Sequence, residues 1–203
     1  MSASEPACTA AEALARLKAG NARFVRGETR FPTVHDGVRA ALKQGQQPYA
    51  TVLACSDSRV PPELVFDAGL GELFVIRVAG NVLGPAIAGT LQYAREHLHT
   101  PLFVVMGHEN CGAVQAALDA RLHGARQKAR IEALLDNVLP ALDDIDLGAP
   151  PEQRMHAAVE ANVRRTLRSI RASADAGAAV ADGSVQLVGA VYDLDTGRVQ
   201  FLD

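Results

Sequence analysis

Apolar positions fall into two rhythms along this chain. Three short runs, YATVLA at 49–54, ELFVIRVAG at 72–80 and PLFVVMG at 101–107, are β-branched and dense enough to read as buried strands. Between and around them the apolar residues recur at helical spacing. Residues 9–27 place Leu14, Leu17 and Phe24 on one face, and a second helix is expected over 36–44. A helix over 84–99 has Gly and Pro at its start, and one over 111–124 ends on a Gly. A helix over 127–146 should break near Pro140, and 152–173 reads as a long Arg-rich helix. RFPTVHDG and LGAPP read as loops, and the small-residue stretch 174–184 as a loop or helix end before a strand rather than a domain boundary. The last twenty residues, SVQLVGAVYDLDTGRVQFLD, read as strand, DLDTG turn and strand, hence a hairpin.

Strands that alternate with helices predict an α/β fold. Its central sheet should be mostly parallel, with about four parallel strands plus an antiparallel edge strand, flanked by helices. Residues 1–203 read as a single domain, with an N-terminal helical arm (1–46) ahead of an α/β core (47–203).

Composition narrows the function. The chain is 48% hydrophobic, which supplies one core easily, and its net charge of −3 argues against a nucleic-acid partner. The first twenty residues lack the basic and apolar regions of a secretory leader, and no apolar run approaches the ~18 residues of a membrane span. Three widely spaced cysteines (Cys8, Cys55, Cys111) argue against a disulfide framework. They point to a reducing compartment, the cytoplasm, where thiols bind metals or catalyse.

Two stretches sit at predicted carboxyl ends of strands, where doubly wound sheets gather function. They are CSDSR after 49–54 and GHENCG after 101–107. Together they offer Cys55, Asp57, His108 and Cys111. Two thiolates and an imidazole select Zn²⁺ over Mg²⁺ or Ca²⁺, and three protein ligands leave a fourth tetrahedral position open. Asp57 as a fourth ligand would close the site. Arg59, two residues on, can instead hold that carboxylate in a bidentate ion pair, where it would accept a hydrogen bond from the metal's water.

CSDSR followed by HENC, with ELFVIRVAGN between them and GAVYDLDTG near the end, resembles the β-class carbonic anhydrases over nearly the whole chain. The resemblance implies a lyase that hydrates CO₂ reversibly to bicarbonate and a proton, by attack of zinc-bound hydroxide. It implies one Zn²⁺ per chain on Cys55, His108 and Cys111, with Asp57 and Arg59 as catalytic dyad. In some members Asp57's counterpart displaces the water and closes the site. Gln46 is implied to hydrogen-bond substrate or bicarbonate, Phe74 and Tyr93 to line an apolar CO₂ pocket, with Tyr93 supplied by the partner subunit, and the Gly112 N–H to add a contact. Arg77 and Tyr192 match two places of an allosteric bicarbonate pocket, but Val52 stands where that pocket has Trp. Homodimers or homotetramers follow from the resemblance, and the N-terminal helix, too apolar to stand alone, is expected to wrap a partner subunit.

Blander readings stand beside these. Cys8 reads as an unpaired surface thiol, His97 and His99 as solvated helix-end residues rather than proton shuttles, and Gly80–Asn81 as a turn. RRTLRSIR at 164–171 reads as a solvated or interface face. Two alternatives to CO₂ hydration stay open: a related zinc hydrolase acting on CS₂ or COS, and a non-catalytic zinc-binding homologue.

Overall fold

Five strands form one sheet in the order β2-β1-β3-β4-β5. They are β1 (Ala50–Ala54), β2 (Leu73–Arg77), β3 (Leu102–His108), β4 (Gln186–Tyr192) and β5 (Val199–Leu202). The first four pair in parallel and β5 returns antiparallel to β4, as the pattern predicted. This computed structural model describes residues 8–30 and 36–202, so the expectations for residues 1–7 and for the middle of RFPTVHDG lie outside the described residues. Every residue of β1 and β3 is buried. Covered on both faces, these strands read as near-continuous apolar runs. Two polar residues interrupt them, His108 at the end of β3 and Thr51, which bonds Thr100 hydroxyl to hydroxyl at 2.7 Å.

The chain goes from β1 outward to β2, then back across β1 to β3. Connections therefore leave the β1–β3 pair on opposite sides and open a crevice at its carboxyl end.

The helices are α1 (Ala10–Val25), α2 (Asp36–Leu42), α3 (Pro62–Val65), α4 (Pro85–Leu98), α5 (Gly112–His123), α6 (Ala129–Leu135), α7 (Pro151–Ala172) and α8 (Ala174–Ala181). The expected helix 127–146 is two pieces, α6 and a 3₁₀ segment, Leu139–Asp144, that contains Pro140. The stretch expected as a loop or helix end before the hairpin is the helix α8, because its alanines carry the highest helix propensity. The strand expected over 72–80 stops at Arg77, where a left-handed Gly80 turns the backbone into a 3₁₀ turn, Ala79–Asn81. Helix α7 lies close against β3. A Cβ at Gly107 would come within 2.7 Å of Val163 Cγ2, so only glycine admits the helix there. Two of the four arginines of 164–171 pair with carboxylates of the same chain, Arg164 with Glu160 and Arg168 with Asp144.

Helix α1 opens on a capping box between Thr9 and Glu12. It buries Ala13 and Leu17 completely against its own chain. The apolar face expected to wrap a partner is thus covered here, and Cys8, unpaired as expected, is half-buried against the core rather than on the surface. Asn21 clamps the helix down. Its Nδ2 donates to the carbonyls of Val65 at 3.2 Å and Gly197 at 2.9 Å, and its Oδ1 accepts from Val199 N–H at 2.9 Å. Asn21→Ala would leave three main-chain groups unpaired, a cost of about 2–3 kcal/mol. Urea unfolding is expected to show a lower midpoint at unchanged slope, and an unmoved midpoint would show that the clamp contributes nothing.

Candidate metal centre and active site

Strand β1 ends at Ala54 and delivers Cys55 to the crevice. Neighbouring β3 ends on His108 itself, in register with Tyr192. The GHENC turn then reverses through Asn110, at φ 52°, a left-handed conformation that Asn tolerates better than most residues. This turn puts Cys111 at the N-cap of α5, with no side-chain cap before it. The N–H groups of Val114 and Ala113 in that first turn favour its thiolate.

Cys55, His108 and Cys111 thereby come together, all buried, with their ligand atoms within 4.8 Å of one another. The two sulfurs are 4.0 Å apart. His108 is fully buried. Its Nδ1–H donates to the Glu109 carbonyl at 2.8 Å, which leaves a lone pair on Nε2. That Nε2 has no hydrogen-bond partner among the described residues. An orphaned imidazole nitrogen facing two thiols is a costly arrangement unless a cation accepts all three.

The thiols lead to the same fit. Hydrogen bonding from Cys111 pulls Cys55 well below the ordinary thiol range, with help from the Gly80 N–H at 3.4 Å. Cys111 is pushed up because it holds the shared proton for Cys55 and is itself buried. Without a countercharge only one of the pair ionises; a bound dication would let both do so.

Asp57 lies beside this set but outside it. Its Oδ2 is 3.8 Å from His108 Nε2. Arg59 grips both carboxylate oxygens, Nε on Oδ1 at 2.9 Å and Nη2 on Oδ2 at 2.8 Å, and its own N–H adds a bond to Oδ1 at 3.0 Å. The guanidinium holds the Asp57 carboxyl well below the usual carboxylate range. Arg59 also donates to the Asn110 carbonyl at 3.3 Å, which joins the CSDSR loop to the HENC turn.

Some residues serve the site in ways the sequence did not reveal. Arg77 donates to the carbonyls of Cys55, at 3.0 Å, and Asp57, so it braces the metal-binding loop from β2. Val52, at the expected Trp position, is fully buried in the middle of the sheet, and Tyr192 is buried with its ring 6.5 Å from that of Phe24. Gly80 is more than a turn residue, since its N–H reaches Cys55. Its signal in the sequence was only a Gly-Asn pair after a strand.

The expected pocket residues divide. Gln46 is exposed just ahead of β1, and Gly112 is exposed at the start of α5, beside Cys111. Phe74 and Tyr93 stack with ring centres 6.1 Å apart. Phe74 is in register with Thr51, four residues before Cys55. That places it about 13 Å along the sheet from the thiols. Tyr93 is 47% exposed, and its other face meets the His97 ring at 4.8 Å. Within one chain this aromatic pair does not reach the centre.

Comparison with known proteins agrees with this geometry. A family model described as carbonic anhydrase matches residues 50–199. The carbonic anhydrase of Mycolicibacterium smegmatis is 40% identical over 186 residues, covering 91% of this chain and 89% of that protein. Carbonic anhydrase 2 of Mycobacterium tuberculosis is 38% identical over 193 residues, covering 92% and 90%. Among solved structures, the β-carbonic anhydrase CcaA superposes with a TM-score of 0.77 at 27% identity, covering 95% of this chain and 88% of that one. With the sheet order, the paired thiols and the gripped carboxylate in place, the chain belongs to the β-carbonic anhydrase family and is a lyase of that class.

Proposed function

We propose that this chain hydrates CO₂ reversibly to bicarbonate and a proton at a zinc ion held by Cys55, His108 and Cys111. One observation carries the reading: a buried imidazole nitrogen without a partner faces two thiols, beside a carboxylate locked by an arginine. Zinc, when bound, would supply the Lewis acidity that makes water a nucleophile near neutral pH.

The chain's own groups do the rest. Asp57 is the acceptor that orients the reacting water. Arg59 occupies both of its oxygens, which favours a site with Asp57 outside the ligand set and the fourth position free. A carboxyl held so far below its ordinary range stores a proton poorly, so the proton passes on to buffer. Gln46 and the Gly112 N–H supply donors for a bicarbonate oxygen. The stack of half-buried Phe74 on exposed Tyr93 serves best in the CO₂ pocket of a second copy, so the working form is a homodimer or a dimer of dimers. Among the described residues no helix is long and apolar enough to cross a membrane. Free thiols at the centre suit the reducing cytoplasm as its place of work. Residues 1–203 act as one catalytic domain.

Three outcomes are expected. Stopped-flow hydration assays, with zinc measured on the same sample, should give one zinc per chain and a rate that rises from about pH 6.5 to 9 as water ionises. A zinc-loaded protein silent over that range would sink the hydratase reading and move CS₂ or COS hydrolysis ahead. Asp57 stays ionised throughout, since a depressed carboxyl takes up its proton only as the pH falls below about 4, and so it contributes nothing to that rise. Asp57→Asn and Arg59→Ala should each lower kcat/KM roughly 100-fold at unchanged zinc content. Loss of zinc from Asp57→Asn would make the carboxylate a ligand instead. Light scattering should report two or four chains per particle, and Tyr93→Ala should lower kcat/KM without lowering zinc content. A fully active monomer would refute the shared pocket.

A further inference from the structure

Helix α7 carries an anomaly on its core face. That face is otherwise aliphatic, with Val159, Val163, Leu167 and Ile170 all buried. Yet Asn162 and Thr166, one helical turn apart, are 1% and 3% exposed. Buried amides and hydroxyls cost stability unless they are bonded, and an apolar residue of similar shape would pack there without that cost. Asn162 keeps its place although its Oδ1 has no partner among the described residues.

Both side chains aim at one target. Asn162 Nδ2 donates to the Gly80 carbonyl at 2.7 Å, and Thr166 Oγ1 donates to the Asn81 carbonyl at 3.2 Å. These two acceptors are consecutive left-handed residues, Gly80 at φ 70° and Asn81 at φ 43°. A non-glycine residue in that region costs about 1 kcal/mol or more and persists only where its surroundings hold it. Asn81 is itself 1% exposed, so solvent cannot supply that hold. The turn's outward product is the Gly80 N–H, which points at Cys55 Sγ.

We propose that Asn162 and Thr166 are positioning residues for the metal centre: they fix the Gly80–Asn81 turn so that its N–H donates to the Cys55 sulfur and orients that ligand. The inference rests on the zinc reading above and extends it to a helix with no ligand of its own. A donor to a metal-bound sulfur draws charge from it and keeps it in place, so it acts on the affinity and electronics of the centre. Two thiolates are strong donors, and each N–H aimed at one tempers the charge reaching the metal.

The test uses the full chain and reads metal properties rather than turnover. Zinc Kd is measured by competition with a chromophoric chelator, and the sulfur-to-metal charge-transfer band is recorded after Co²⁺ substitution. Asn162→Leu should raise the zinc Kd by about 10- to 100-fold. Thr166→Val, which removes only the hydroxyl, should raise it less, and Thr166→Ser should restore it. Both losses should move the charge-transfer band to longer wavelength, because a sulfur without its donor gives up electrons more easily. A merely structural role would lower stability and leave the band in place. Folded variants with unchanged Kd and unchanged band overturn the proposal. If Asn162→Leu does not fold, the Thr166 pair decides alone. A wild-type protein that binds zinc tightly yet hydrates no CO₂ would defeat the hydratase reading while the variant shifts still upheld this one.

Discussion

The structure depends on a geometric constraint at the middle of the sheet. Strands β1 and β3 run parallel side by side, while the chain leaves them toward opposite edges. The crevice at their carboxyl ends is closed by the Ala79–Asn81 turn, so the groups gathered there are buried. Cys55 continues one strand and His108 ends the other. Two of the three candidate ligands are therefore placed by sheet register, among the stiffest relations in a protein, and the turn through Asn110 brings Cys111 to them. Arg77 and Arg59 tie the short remaining loops to that register through carbonyls of residues 55, 57 and 110.

Charge imposes a second ordering on the same place. Two thiols and an imidazole packed at this depth conflict unless a cation is present, and the carboxylate beside them would be drawn to that cation. Arg59 resolves the competition in advance by holding both Asp57 oxygens. It stays half-exposed while it does so. The carboxylate thus stays beside the candidate ligands, 3.8 Å from His108 Nε2, with both of its oxygens bonded to the guanidinium.

Much of this was legible in the sequence because it rests on short-range rules. Buried parallel strands must be apolar throughout, and ligands at strand ends fall at fixed offsets, so YATVLA-CSDSR and FVVMGHENC carry the sheet and the ligand set together. The Asp57–Arg59 pair was legible for the same reason, being two residues apart. Long-range contacts were not. Nothing local in Arg77 tells that it braces residues 55 and 57, and an Asn and a Thr in a long Arg-rich helix look like ordinary surface residues until the helix is seen packed over Gly107. The alanine-rich stretch before β4 misled because small residues with glycine suit a loop and a helix alike; its packing against α7 and α4 decides for helix. The N-terminal helix looked uncovered because its cover comes from residues around 65 and 197, far along the chain.

That last contact also orders events in time. Asn21 needs the carbonyl of Gly197 and the N–H of Val199, which leave the ribosome some 176 residues later. The contacts of α1 with Val65 and Asp67 can form once those residues have emerged, whereas the two to residues 197 and 199 must wait for that part of the chain. The parallel strands that build the metal centre emerge earlier, but β4 and β5 that flank them do not. The full hold of Asn21 on the first helix is therefore expected to be among the last contacts to form, since it spans the longest sequence separation.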